Sequence, residues 1–126
     1  MYVNVTIPVE ITDELIDHIL VTAFDGTYGG SNYWVEEIDI ARTVTPSGSK
    51  WSAASVVVDD EDEDEKQEVF IDAAKLKAGL GIMLKRDTEF SKRMAKVLVE
   101  NDLGMLDAND ADVIVQYAAF GSVVFG

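Results

Sequence analysis

Seven consecutive acidic residues lie in the middle of the chain and limit how it can fold: Asp59, Asp60, Glu61, Asp62, Glu63, Asp64 and Glu65. A run of like charges cannot enter a hydrophobic core, because each unpaired charge would lose its hydration. Strand-like apolar segments flank the run, at residues 51–58 before it and 67–71 after it. This pattern predicts a hairpin with the acids at its tip.

The acid run has two interpretations. In an extended segment alternate side chains share a face, so rows of carboxylates can imitate the regularly spaced charges of a nucleic-acid backbone. Alternatively, the run is a solvated tip that only raises solubility. The first interpretation gains weight from further acids in the first half of the chain: Glu10, Asp13, Glu14, Asp17, Asp25, Glu36, Glu37 and Asp39.

The composition predicts one globular domain spanning residues 1–126, because 48% of the residues are apolar and 27% are charged. The formal net charge of −14 opposes direct binding to nucleic acid or to an anionic membrane. The chain has no cysteine and one histidine, which excludes disulfides and the usual zinc sites. The longest uncharged stretch, residues 113–126, is shorter than the roughly 20 apolar residues that span a bilayer. The amino end lacks the pattern of a signal peptide, so we expect a cytoplasmic protein without a membrane segment.

Hydrophobic periodicity and capping residues predict the order of elements. Strands are expected at residues 2–7, 34–44, 51–58, 67–71 and 122–125. Helices are expected after Thr12, over residues 72–84, after Thr88, and after Asp107 or Asn109. The sequence therefore predicts an α+β domain, with an antiparallel or mixed sheet of four to five strands and about four helices packed on one face.

A glycine-rich loop with aromatic residues precedes the second predicted strand. It follows a helix and contains no lysine, unlike the phosphate-binding loops that lead from a strand into a helix. One interpretation is a simple loop whose glycines adopt positive backbone angles. The other is a partner-binding edge formed by Tyr28, Tyr33 and Trp34, residue types that are common at interface hot spots. Trp34 fits a core position better, and Tyr28 an exposed one.

No arrangement of residues predicts an enzyme. His18 lies off the apolar face of the first helix, and no serine has the sequence context of a nucleophile elbow. Neither acidic segment has the glycine and glutamate spacing of an EF-hand, although weak binding of divalent ions stays open. We therefore predict no catalytic residue, no cofactor and no dedicated metal site.

Two stretches resemble small acidic bacteriophage and prophage proteins of uncharacterised function. They are residues 19–26 continuing through 29–34, and residues 111–121 with the closing 123–126. The resemblance leaves out the acid run and brings no catalytic residues with it. It implies a protein that binds and blocks a host protein, including nucleic-acid-handling defence complexes.

The predicted function is therefore that of a noncatalytic inhibitor. The expected partner is a host protein with a basic nucleic-acid-binding surface, contacted in the host cytoplasm by the acid run and the aromatic loop. The alternative is a small structural or assembly protein that associates with itself, in which case the acidity serves solubility.

Overall fold

The structure, a computed structural model, describes residues 3, 6, 8–59 and 66–126. Three strands and four helices follow one another in this part of the chain: α1 (Asp13–Phe24), β1 (Val35–Thr45), β2 (Gly48–Val58), β3 (Glu68–Ile71), α2 (Ala73–Leu84), α3 (Glu89–Glu100) and α4 (Ala108–Phe120). The strands form one antiparallel sheet in the order β1-β2-β3. The predicted α+β class is thus confirmed.

The described sheet has three strands, fewer than the four to five predicted. The strand predicted at residues 2–7 falls largely outside the described residues. The strand predicted at residues 122–125 is wrong, because this segment pairs with no strand in the described part of the chain. Its Val124 and Phe125 amides instead donate to the side-chain oxygen of Gln116, each at 2.8 Å. The Gln116 side chain thus supplies the hydrogen-bond acceptor that a neighbouring strand would otherwise provide.

The four helices begin close to the positions that were predicted from the sequence. At each N-cap the side-chain oxygen accepts a hydrogen bond from the backbone amide three residues later; the N-caps are Thr12, Asp72, Thr88 and Asp107. Asp107, not Asn109, caps α4, because its carboxylate and that of Asp110 each accept the other's backbone amide in a capping box. Gly121 ends α4 with a φ of 76°, a left-handed conformation that glycine adopts readily.

The hairpin of β1 and β2 turns through Pro46 and Ser47, because Thr45 pairs with Gly48. On one face of the sheet, buried β2 residues lie beside buried β3 residues, with Val56 opposite Val69 and Ala54 opposite Ile71. This inner face packs against α1 and α4 and forms the core with them.

The other two helices extend the helical side of the domain. α2 packs closely on α4, where a Cβ atom on Gly79 would lie 2.5 Å from the backbone nitrogen of Ala118. α3 packs against α2. All four helices thus lie on one side of the sheet, as predicted, and the described residues leave its other face open. No helix in the described part is long and apolar enough to cross a membrane.

Candidate partner-binding surfaces

The open face of the sheet carries acidic and apolar side chains in two rows. Residues that pair directly across antiparallel strands point to the same face. One row consists of Glu37, Val57 and Glu68, and the next row consists of Asp39, Ser55 and Phe70. We call these six residues the acidic sheet face.

The acidic sheet face is accessible. Glu37, Asp39 and Glu68 are exposed, and the Phe70 side chain is 53% exposed. The Ser55 hydroxyl donates to Glu68 Oε1 at 2.8 Å and holds that carboxylate over the face. A shallow depression of about 150 Å³ lies among these side chains. The face therefore combines a negative rim with an exposed aromatic ring.

The acid run begins at one end of this face. Asp59 follows β2 directly and is exposed, and its backbone amide donates to the Trp34 carbonyl at 2.8 Å. On the other side of the run, Lys66 Nζ lies 2.7 Å from Glu36 Oε2, and this contact raises the pKa of Lys66. Asp60, Glu61, Asp62, Glu63, Asp64 and Glu65 lie outside the described residues. The predicted rows of carboxylates within the run therefore stay a prediction.

The three aromatic residues of the loop have different environments. Tyr28 is 92% exposed and Tyr33 is 55% exposed, so both offer accessible rings. Trp34 is only 1% exposed, so its side chain does not form part of an exposed edge. Its ring stacks on Phe125 with centroids 5.4 Å apart and packs edge-on against Phe24 and Phe120. Trp34 is a core residue because its large apolar ring completes this aromatic cluster.

A buried carboxylate organises the loop. Asp112 Oδ1 accepts hydrogen bonds from Trp34 Nε1 at 2.8 Å, Ser31 Oγ at 2.9 Å and Gln116 Nε2 at 3.1 Å. Asp112 Oδ2 accepts from the Tyr33 hydroxyl at 2.6 Å. Asp112 is 5% exposed, and all four donors are uncharged. Among the described residues, no basic side chain lies within ion-pair distance of it.

Gln116 connects the same carboxylate to the carboxyl-terminal segment. Its side-chain oxygen accepts the Val124 and Phe125 amides, and its side-chain nitrogen donates to the Phe125 carbonyl at 3.0 Å. Sequence analysis did not identify Asp112 or Gln116 as important. The sequence feature that could have indicated them is their spacing. Asp112 and Gln116 are polar residues four positions apart on a mainly apolar part of the helix, and this spacing places both side chains on one face.

The hydroxyl of Tyr33 is held in its protonated form. Burial of the hydroxyl end, and then its hydrogen bond to Asp112 and the charge of that carboxylate, raise the pKa of Tyr33 to about 12. A nearby negative charge opposes formation of the phenolate. Tyr33 is therefore a hydrogen-bond donor to Asp112 throughout the physiological pH range.

A cleft opens beside this network. It has a volume of about 540 Å³ and is lined by Gly30, Tyr33, Asn109, Asp112, Val113, Val123, Phe125 and Gly126. We call it the C-terminal cleft. Asp112 and Tyr33 supply its charged and aromatic groups, and Val113, Val123 and Phe125 supply apolar walls.

Two further features are the surroundings of His18 and the grouping of potential metal ligands. His18 is half-buried, and its Nε2 atom lies 3.2 Å from the Leu106 carbonyl oxygen, a contact that links α1 to the segment before α4. Within residues 8–59 and 66–126, no three carboxylate or histidine side chains come together as potential metal ligands.

Comparisons of the chain with family models, with curated proteins and with solved structures find no match. The resemblance to bacteriophage proteins thus stays a prediction. The two stretches that carry it do meet in the fold, since Ser31, Tyr33 and Trp34 belong to one stretch and Asp112 and Gln116 to the other.

Proposed function

We propose that the protein is a noncatalytic, phage-type inhibitor that occupies the basic nucleic-acid-binding surface of a host protein by charge mimicry. The supporting observation is the acidic sheet face, where Glu37 and Asp39 on β1 and Glu68 on β3 lie on either side of the central strand. The exposed ring of Phe70 lies on β3, two residues from Glu68. The setting of this interaction is the host cytoplasm. The partner is a nucleic-acid-handling defence protein.

The sheet gives the carboxylates a regular arrangement. Alternate residues of a strand lie about 6.6–6.8 Å apart on one face, and neighbouring strands lie about 4.8 Å apart. Glu37 and Asp39 therefore follow one line along β1, while Glu68 lies two strands away from Glu37, at about 10 Å. A rigid array of this kind presents negative charges to a basic groove without first having to be ordered.

Apolar side chains complement the charges. An isolated surface ion pair contributes between about 0 and 1 kcal/mol, so carboxylates alone bind weakly and lose their effect at high salt. Val57 on the central strand and Phe70 on the edge strand β3 offer apolar area beside the carboxylates, and an interface commonly combines apolar and charged groups in this way. The charges then mainly accelerate association. The Phe70 ring, which becomes buried against the partner in the complex, slows dissociation.

The test measures displacement of double-stranded DNA from basic nucleic-acid-binding proteins by fluorescence anisotropy across a salt series. We compare the parent with a triple variant, Glu37→Gln, Asp39→Asn and Glu68→Gln. The matched control, Asp87→Asn, Glu100→Gln and Asp102→Asn, makes the same charge change at exposed positions around α3. We expect the first variant to lose at least tenfold in apparent affinity at low salt and the control less than threefold. Equal losses of affinity in the two variants would show that only the net charge matters, and this would contradict the proposed site.

The acid run is tested separately. Replacing Asp59 and the six acids after it with Asn and Gln removes seven negative charges from the chain. If the run contacts a basic groove, the association rate falls and its salt dependence becomes shallower, since such contacts are screened beyond about 8 Å at physiological ionic strength. An unchanged association rate at low salt would show that the run is only a solvated tip.

Self-association is the second candidate function. The observation that favours it is β1, which pairs on one edge only within the described residues and leaves an 11-residue strand open on the other. Glu36, Glu37 and Asp39 on this strand repel a second copy, so we rank this function below the first. Sedimentation velocity at low and high salt distinguishes the two, because a dimer held at β1 strengthens as its repelling charges are screened.

A further inference from the structure

We propose that the C-terminal cleft is a binding site for a guanidinium group, which in the complex is an arginine side chain of the basic partner. The identity of the partner rests on the proposed function. The chemistry of the cleft does not, because it follows from Asp112, Tyr33 and the segment that Gln116 holds in place.

The polar groups of the cleft accept more hydrogen bonds than they donate. Asp112 Oδ2 receives one hydrogen bond, from Tyr33, and a carboxylate oxygen has capacity for a second. The single hydroxyl hydrogen of Tyr33 is used in that contact, and its oxygen already accepts a hydrogen bond from Gln116 Nε2 at 3.2 Å. The Phe125 carbonyl, within hydrogen-bond distance of Tyr33 and Gln116, adds another acceptor. A ligand for this cleft must therefore bring donors, and guanidinium carries five in one plane.

The negative charge of Asp112 also favours a cation as the ligand of the cleft. Asp112 is buried with uncharged donors only, so the hydrogen bonds orient its charge without neutralising it. A buried carboxylate is generally paired with a cation or coordinates one, since its desolvation is costly. Among the described residues no basic side chain serves this purpose, and a guanidinium group from outside supplies the missing charge.

The shape of the cleft suits the rest of an arginine side chain. Its volume of about 540 Å³ lies within the range of pockets that hold small ligands. Val113 and Val123 provide apolar walls for the methylene groups, and the ring of Tyr33 offers a face for a planar cation.

Asp59, the first residue of the acid run, is connected to one side of the cleft. The Trp34 carbonyl accepts the Asp59 amide, and Trp34 directly follows Tyr33 of the cleft. A basic partner attracted by the run thus reaches the cleft with a neighbouring side chain. In this arrangement the acids attract the partner, and the cleft holds one arginine as an anchor.

The test uses methylguanidinium as the probe and methylurea as its uncharged analogue of similar shape. Each is titrated into the full chain while the indole N–H signals of Trp34 and Trp51 are followed by NMR. Trp34 donates to Asp112, whereas Trp51 lies in β2 and is the internal control. A Trp51→Phe sample assigns the two signals. We expect a saturable shift of the Trp34 signal with methylguanidinium and none with methylurea.

Two variants locate the binding. Val123→Arg places a permanent cation in the cleft, and Val124→Arg makes the same change one residue later, outside the cleft lining. Both side chains are about half exposed in the parent, so neither change disturbs the core. We expect Val123→Arg to weaken methylguanidinium binding at least tenfold and Val124→Arg less than twofold. Equal effects of the two variants, or equal shifts with methylurea, would overturn the proposal.

The outcome is separable from that of the proposed function. If DNA displacement depends on the acidic sheet face but methylguanidinium does not shift the Trp34 signal, this inference fails and the proposed function stands. If methylguanidinium binds as described while no basic protein is contacted, the cleft is a guanidinium site and the proposed function fails.

Discussion

The indole nitrogen of Trp34 donates a hydrogen bond of 2.8 Å to Oδ1 of Asp112, and this contact joins the residue before β1 to the middle of α4. Both residues are buried, so the bond exists in an environment where water cannot replace it. Together with the hydrogen bonds of Gln116, it connects the aromatic loop to the carboxyl-terminal segment and the C-terminal cleft.

Asp112→Ala should cost at least about 3 kcal/mol of the free energy of unfolding. The substitution removes the acceptor of four hydrogen bonds and leaves the buried donors of Trp34 and Ser31 without a partner, each at about 1–3 kcal/mol. Urea denaturation followed by tryptophan fluorescence measures the change. Asp102→Ala, at an exposed aspartate, is the control and should change stability by less than about 0.5 kcal/mol. A loss below 1 kcal/mol at Asp112 would show that the network does not stabilise the fold.

Two glycines of α2 should respond in opposite directions to the same substitution. Gly79→Ala forces a Cβ to within 2.5 Å of the Ala118 backbone nitrogen, so α2 and α4 must separate at the cost of core packing. At Gly81 a Cβ meets nothing within 4 Å, so alanine should stabilise the protein by up to about 1 kcal/mol through helix propensity. Thermal unfolding of both variants checks this. A similar change in Tm for the two would contradict the close approach of the helices.

Local structure could be predicted from the sequence because residues close together in the chain determine it. Each helix begins at a side chain that accepts its own first-turn amide, and the turn at Pro46 and Ser47 fixes the hairpin register. The predicted exposure of Tyr28 and the predicted core position of Trp34 are also confirmed. These features depend on neighbours within a few residues.

The missed features depend on contacts between distant parts of the chain. The amide of Gln116 supplies the partners that the carboxyl-terminal segment was expected to find in a strand. Likewise, three of the four donors to Asp112 come from residues about 80 positions earlier. Sequence periodicity cannot indicate such pairings, since a polar residue on an apolar helix face is equally compatible with several partners.

Arg93→Met should move acid unfolding to higher pH. Burial raises the pKa of Asp110, but hydrogen bonds from the Arg93 guanidinium and the Asp107 amide outweigh this and hold it below its usual value. A lowered pKa contributes stability above the unfolded-state value near 4, and this stability is lost as the pH falls through the folded-state value. Without Arg93 the pKa of Asp110 rises, so the loss begins at higher pH.

Circular dichroism across pH 2 to 6 measures the midpoint of this acid transition. Lys92→Met on the same helix is the matched control, because the Lys92 ammonium forms its ion pairs with the exposed Asp87 and Glu89. It should leave the midpoint nearly unchanged. Equal shifts of the midpoint for both variants would mean that the contact between Arg93 and Asp110 has no particular role.

Tyr33 should make the stability of the protein depend on alkaline pH. Its pKa is about 12 in the folded protein, against about 10 in an unfolded chain, so the folded state retains the proton more strongly. The resulting stability is fully present below pH 10 and is lost as the pH rises from 10 to 12. Tyr33→Phe should therefore flatten the fall in unfolding free energy over this interval, measured by urea denaturation at several pH values, while Tyr28→Phe at the exposed position leaves it unchanged. In an ultraviolet titration the parent should show one tyrosine ionising near pH 12 that the Tyr33→Phe variant lacks, and identical curves would contradict the contact with Asp112.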